Sequence, residues 1–205
     1  KRASGGSAAN SIIAHSSLGG SAYYSCNVAN DENGGYYLND LKAAGVDSDF
    51  NGNHQDGITG KCLVMISPDA ERTMNTFLGI SVSLCEKNID YTALKNSEWL
   101  YVEGYLVTSD TGRNAAIKAR EFAQANGIKT ALSFSDPGMV QFFKDGLKAM
   151  AGSKLDLVFC NEQEALSWAD TDNINDAITT IKTLANTFAI TLGSKGALVF
   201  DGETM

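Results

Sequence analysis

Three short clusters in this 205-residue sequence combine residue types suited to holding a polar or phosphorylated ligand. Gly5-Gly6-Ser7-Ala8-Ala9-Asn10 opens a helical stretch. Paired glycines let a backbone approach a ligand closely, and Ser7 can cap. At roughly 100° per residue Asn10 falls beside the Ala9/Ile12/Ile13 stripe, free to face a cleft. Its amide offers both a donor and an acceptor, which suits paired sugar hydroxyls; a glycine-rich cap with a solvated asparagine is the alternative. Asn161-Glu162-Gln163-Glu164 follows the apolar run Leu155 to Cys160. Asn161 and Glu164, three apart, share a face of a first helical turn at the carboxyl end of a strand, where open α/β sheets take ligands. A carboxylate there can hold magnesium through water while an amide meets phosphate oxygens; an acidic helix start favoured by the helix dipole explains it equally. Thr191-Leu192-Gly193-Ser194-Lys195-Gly196 lies between FAITL and ALVF, as a phosphate-cradling turn or a plain β-turn.

Other chemistries find little support. The third cluster leads into a strand and lacks the G-x-x-x-x-G-K-[ST] spacing, and Gly57 to Lys61 fails the same test. No G-x-G-x-x-G follows a strand and opens a helix, which counts against an NAD-dependent enzyme. Cys26, Cys62, Cys85 and Cys160 form no C-x-x-C pair, so reduced thiols are expected rather than a zinc knuckle or redox pair. His15 and His54 stand far apart, outside any metal-binding spacing, and are expected to be structural or on the surface. Acidic residues outnumber basic ones 24 to 16, a formal net charge of −8, which disfavours nucleic acid and anionic membranes as partners. The longest apolar runs fall far short of the roughly 20 residues of a membrane span, and no leader opens the chain, so a cytoplasmic protein is expected.

The elements that must position these clusters follow from periodicity. Trp99–Glu103, Lys129–Ser135, Leu155–Cys160 and Phe188–Leu192 read as strands. Helices are expected from Ser109 or Asp110 to a stop at Asn126-Gly127, over Met139–Ala151, Asn161–Trp168 and Ile174–Thr187. This alternation predicts an α/β fold with a parallel sheet covered by helices. Upstream, helices are expected from Ser7 to about Leu18 and over Tyr36–Ala44, with a strand over Ser21–Val28. Thr59–Ser67 and Arg72–Leu78 read as two strands reversing at Pro68-Asp69, a small flap within 58–80 or an ordinary edge hairpin. Cys62, Met65, Met74 and Phe77 on it are candidates for substrate contact, alternating between its faces. Glu103-Gly104-Tyr105 is a candidate pocket wall, with core packing of Tyr105 as the alternative.

Taken in order, GGSAAN, the stretch Val28–Val46, the flap segment PDAERTMNTF, NEQE and TLGSKG resemble the ribokinase-like (PfkB) family of sugar and nucleoside kinases, most closely its adenosine-kinase-like branch. The resemblance spans almost the whole chain. It implies a central, mostly parallel sheet with flanking helices and a small β lid, in a single domain. It also implies transfer of the ATP γ-phosphoryl group to the hydroxymethyl of a sugar or nucleoside, with Mg2+ as cofactor. Gly5, Gly6 and Asn10 match the family's sugar motif; Asn161 and Glu164 match its phosphate and magnesium motif, Glu164 as the metal-side carboxylate. Thr191, Gly193 and Gly196 match the turn beside the nucleotide, where Lys195 could also reach a phosphate. Two family features have no counterpart here: an aspartate-bearing strand ahead of Gly5 and a glycine-alanine-glycine-aspartate segment after the TLGSKG turn. The catalytic base is therefore expected beyond Met205, and the chain is expected to be a segment of a longer polypeptide. A noncatalytic ligand-binding fragment and, less well supported, an NAD-binding α/β enzyme are the competing expectations; a homodimer through the lid is a further one.

Overall fold

The computed structural model describes residues 2–49 and 55–205; Lys1 and His54 lie outside the described residues. Two compact units divide the chain, Lys1–Asp90 and Tyr91–Met205. Among the described residues no helix is long and apolar enough to cross a membrane, and all four cysteines are free.

In the first unit, α1 (Ser7–Ser17) and α2 (Glu32–Ala43) pack with β1 (Ala22–Tyr23) and β2 (Val46–Asp47), which pair in parallel. Val28, Leu38, Leu41 and Val46 form its core, with Ile12 and Ile13 against them. Helix α2 starts four residues earlier than expected because Asp31 caps it, accepting from the Gly34 amide at 2.8 Å. A Cβ at Gly34 would collide with the Ala29 carbonyl, so this first turn needs glycine. The strand expected over Ser21–Val28 shrinks to two residues. Past Tyr24, whose amide still reaches Asp47, hydrogen bonds go elsewhere: the Asn27 amide donates to the Ile80 carbonyl, and the Ala29 amide to the Thr59 hydroxyl. The flap is an antiparallel hairpin of β3 (Lys61–Ile66) and β4 (Arg72–Phe77), followed by 3-10 turns at Gly79–Ser83 and Glu86–Asn88.

The second unit begins with α3 (Tyr91–Lys95) and carries a five-stranded sheet in the order β5 (Trp99–Glu103), β6 (Lys129–Ser133), β7 (Leu155–Asn161), β8 (Ala185–Thr191), β9 (Ala197–Phe200). The first four strands are parallel and β9 is antiparallel. Helices α4 (Asp110–Ala125), α5 (Pro137–Ala151), α6 (Glu162–Ala169) and α7 (Ile174–Leu184) complete the α/β architecture. Leu132, Val158, Phe188 and Ile190 on the sheet meet Leu147, Met150, Trp168 and Ile181 from the helices in one core. The other sheet face carries Tyr101 and Phe159 edge to face, and Phe159 is 40% exposed. Helix α7 stops at Leu184 rather than Thr187: Ala185 and Thr187 are claimed by the register with Leu155 and Leu157, and the Thr187 hydroxyl donates to the Asp156 carbonyl.

Candidate functional site

The carboxyl ends of β5, β6, β7 and β8 gather most of the candidate residues of the second unit. Residue Asn161 ends β7 and caps α6, its side chain accepting from the Glu164 amide at 2.8 Å. The Glu164 carboxylate reaches back, accepting from the Asn161 backbone amide at 3.0 Å and from its side-chain amide at 2.8 Å. This reciprocal box fixes both residues in one orientation at a helix N-terminus. Glu164 is 4% exposed. Burial pushes its carboxyl above the ordinary glutamate range, and the charges of Asp136 and Glu103 add to the shift, while the Asn161 amide opposes it.

Those two acids occupy neighbouring strand ends. Glu103 closes β5, 8% exposed, accepting from the Tyr101 hydroxyl at 2.8 Å and the Ser135 hydroxyl at 2.6 Å. Strand β6 ends at Ser133, two residues short of expectation, because Ser135 turns into the left-handed region at φ 71°. Asp136 follows as the cap of α5, accepting from the Gly138 amide at 2.7 Å. Tyr105, exposed at 43%, has its phenol pushed up by partial burial and by Asp136, Glu103 and Glu164. None of the three carboxylates forms an ion pair among the described residues. The result is an acidic bay at the end of the sheet where ligands bind in open α/β folds.

The third cluster adjoins the second. Thr191 pairs in register with Asn161, and the turn Gly193–Lys195 follows it. Gly193 (φ 59°) and Gly196 (φ 96°) both adopt backbone that side chains disfavour, and nothing stands within 4 Å of where a Cβ would be. This leaves the turn open beside the start of α6. Lys195 sits 3.7 Å from Glu162 and is largely exposed, a surface pair of little energetic weight.

The first cluster belongs to the other unit. Gly6 caps α1 at φ 110°, the Gly5 carbonyl accepts from the Tyr37 hydroxyl at 3.2 Å, and Asn10 is exposed one turn into the helix. Sequence reasoning missed several residues. Asp136 is not among the sequence candidates, although Asp-Pro-Gly ahead of an apolar helix is a cap signal. The Ser135–Glu103 contact and the Asp31–Thr59 pair join residues that no local pattern links.

Among the described residues no group of three or more His, Cys, Asp or Glu side chains is placed to hold a metal ion, so a magnesium ion at the bay would be met through water. Mg2+ keeps several waters and takes few protein ligands. Glu164 already spends one acceptor position on each oxygen, leaving the others for metal-bound water.

The pfkB family carbohydrate kinase model matches residues 1–205. Adenosine kinase from Sinorhizobium meliloti superposes with a TM-score of 0.91 at 33% identity, covering 98% of this chain and 62% of that one. A probable sugar kinase from Rhizobium etli CFN 42 gives 0.88 at 31% identity, over 98% of this chain and 61% of that one. A putative ribokinase II from E. coli, in complex with ATP and Mg2+, gives 0.87 at 21% identity, over 98% and 66%. No curated protein matches by sequence. The chain thus spans about three fifths of the length of the first two structures it resembles. A family model that runs the whole chain, two solved relatives above 30% identity and the ordered strand-end clusters converge, and the chain belongs to the pfkB family of carbohydrate kinases.

Proposed function

We propose that these residues form part of a cytoplasmic ATP-dependent phosphotransferase that moves the γ-phosphoryl group to the hydroxymethyl of a nucleoside or sugar. The observation that carries this reading is the buried Asn161–Glu164 box beside two further carboxylates, none of them ion-paired among the described residues. Such a bay attracts a hydrated divalent cation, and in phosphoryl transfer positioning and charge neutralisation supply most of the rate. Bound Mg2+ would offset the phosphate charge. Glu164 would hold it through water, with Asn161 keeping the Glu164 carboxylate in place. The open turn of Thr191, Gly193 and Gly196 would lie along the nucleotide, within range of Lys195. The Gly5-Gly6 backbone and the Asn10 amide would take acceptor hydroxyls, and the β3–β4 hairpin would serve as lid. No residue of 1–205 is assigned as the catalytic base. The names of the relatives, an adenosine kinase and a probable sugar kinase, favour this acceptor class, and the ATP and Mg2+ in the E. coli complex favour the cofactors.

The test uses the full-length product of the reading frame encoding these residues, assayed for ATP consumption with adenosine and simple sugars. Magnesium-dependent phosphorylation of at least one is expected. Asn10→Ala should raise the acceptor KM with little change in kcat. Absence of transfer to every acceptor would overturn the reading in favour of a noncatalytic binding protein.

A further inference from the structure

A second concave site opens in the same unit near the amino ends of β7 and β8, a strand length of ~20 Å from their carboxyl ends at the acidic bay. It is a cavity of about 440 Å³ between the second half of α5, the end of α6 and the last two turns of α7. That volume is in the range of small-molecule pockets. Trp168 and Leu184 supply its apolar surface, both largely buried, and the Trp168 ring is fixed by stacking on Phe134 at 4.6 Å.

Two lysines line the cavity against one aspartate, a local positive excess in a chain of formal net charge −8. Lys144 and Lys148 stand one turn apart on α5 and share a face of it. The Lys144 ammonium donates to the Asp170 carboxylate at 2.7 Å and to the Ser167 carbonyl at 3.4 Å, which leaves one N–H for a ligand. Lys148 lies 3.5 Å from Asp145, a fully exposed side chain, so that surface pair holds it weakly. Both lysines act on Asp170, Lys144 foremost, and hold its carboxyl below the usual range. The hydroxyls complement these charges. The Thr180 hydroxyl donates to the Asp176 carbonyl at 3.0 Å and the Thr183 hydroxyl to the Thr180 carbonyl at 2.7 Å, so each has lone pairs left for a ligand's donors. The exposed Ser153 hydroxyl adds a rotatable donor beside the lysines' helix.

We propose that this cavity binds a phosphorylated sugar, its phosphate between Lys144 and Lys148 and its hydroxyls on Thr180, Thr183 and Asp170. Two ammonium groups one turn apart match a dianion, where a lone carboxylate would engage one of them. Acceptors on the opposite wall match the hydroxyl donors of a sugar body, whose C–H faces can lie against Leu184. A nucleobase would need an open aromatic face to stack on, and Trp168 is only 6% exposed. The cavity takes no residue from the acidic bay, so ligand binding here stands or falls apart from phosphotransfer.

Isothermal titration calorimetry of the full-length protein with ribose 5-phosphate, in the absence of nucleotide and magnesium, reads the site. Saturable binding is expected. Ribose should give none, and inorganic phosphate should bind more weakly. Lys148→Glu should weaken ribose 5-phosphate at least about tenfold, the size of one lost charged hydrogen bond. Its circular dichroism spectrum should be unchanged, because the Lys148 side chain is 56% exposed. Lys148→Arg should retain binding, and Thr180→Val, which removes an acceptor at constant shape, should weaken it roughly threefold. Asn10→Ala, in the other unit, should leave it as it is. Four results would overturn the proposal: no saturable binding, binding indifferent to Lys148→Glu, binding abolished by Asn10→Ala, or inorganic phosphate held through Lys148 as tightly as the sugar phosphate.

Discussion

Strands serve opposite purposes in the two units. In the sheet of the second unit, Leu132, Val158 and Phe188 are at most 1% exposed beneath their helices. In the β3–β4 hairpin, residues of equal hydrophobicity such as Leu63, Ile66 and Met74 are 63% exposed or more. The first set stabilises the chain by leaving water. The second contributes little to folding and is instead available for contact. The sheet of the second unit fixes carboxylates at its strand ends, whereas the hairpin of the first unit leaves its side chains uncommitted.

Truncation breaks this contrast most sharply. Phe188→Ala should cost about 3–5 kcal/mol of folding stability in urea melts, whereas Phe77→Ala should stay within about 0.5 kcal/mol. Similar costs at both positions would mean that the hairpin is packed in solution.

At the acidic bay, Glu164→Ala in the full-length protein should lower kcat roughly 10–100-fold and raise the magnesium concentration needed for activity. Unchanged magnesium dependence would leave the box as a helix cap alone.

Much of this was legible in the sequence. The strands of the second unit are apolar runs bounded by turn signals, and Asn161 and Glu164 stand three apart in one local motif. Ser135 and Thr59 were not legible as site or anchor residues, because their partners Glu103 and Asp31 lie about 30 positions away and only the tertiary fold brings them together. The short β1 was illegible for a related reason: alternating apolar residues from Ser21 to Val28 look like strand until Asn27 and Ala29 find tertiary hydrogen-bond partners.

Two capping carboxylates extend the comparison between units to pH. Asp31 accepts from the Thr59 hydroxyl at 2.6 Å and from the Thr59 and Gly34 amides, and these bonds, the hydroxyl first, hold its carboxyl below the usual range. Its stabilisation is therefore present above the ordinary aspartate pKa and lost as pH falls through the lower folded value. Asp31→Ala should cost about 1 kcal/mol at neutral pH, the value of a helix cap, and less in acid. Glu164 has the opposite sign. Its raised carboxyl makes the folded state the better proton acceptor, so stability falls as pH rises from the ordinary glutamate pKa through the folded one. Glu164→Gln should remove that slope in melts recorded across the acid range; a slope of the same size in the variant would place its origin elsewhere.

The smallest expected effect is at the hairpin tip, where Ile66→Thr should leave folding stability within about 0.5 kcal/mol. A larger loss would show that the tip is packed.

The most direct test of the account is ATP consumption by the full-length protein, with adenosine and a sugar panel as acceptors, measured with and without magnesium. Magnesium-dependent phosphorylation of a hydroxymethyl-bearing acceptor, strongly reduced by Glu164→Ala, is the predicted result. Transfer to none of the acceptors, or transfer that ignores both magnesium and Glu164, would contradict it.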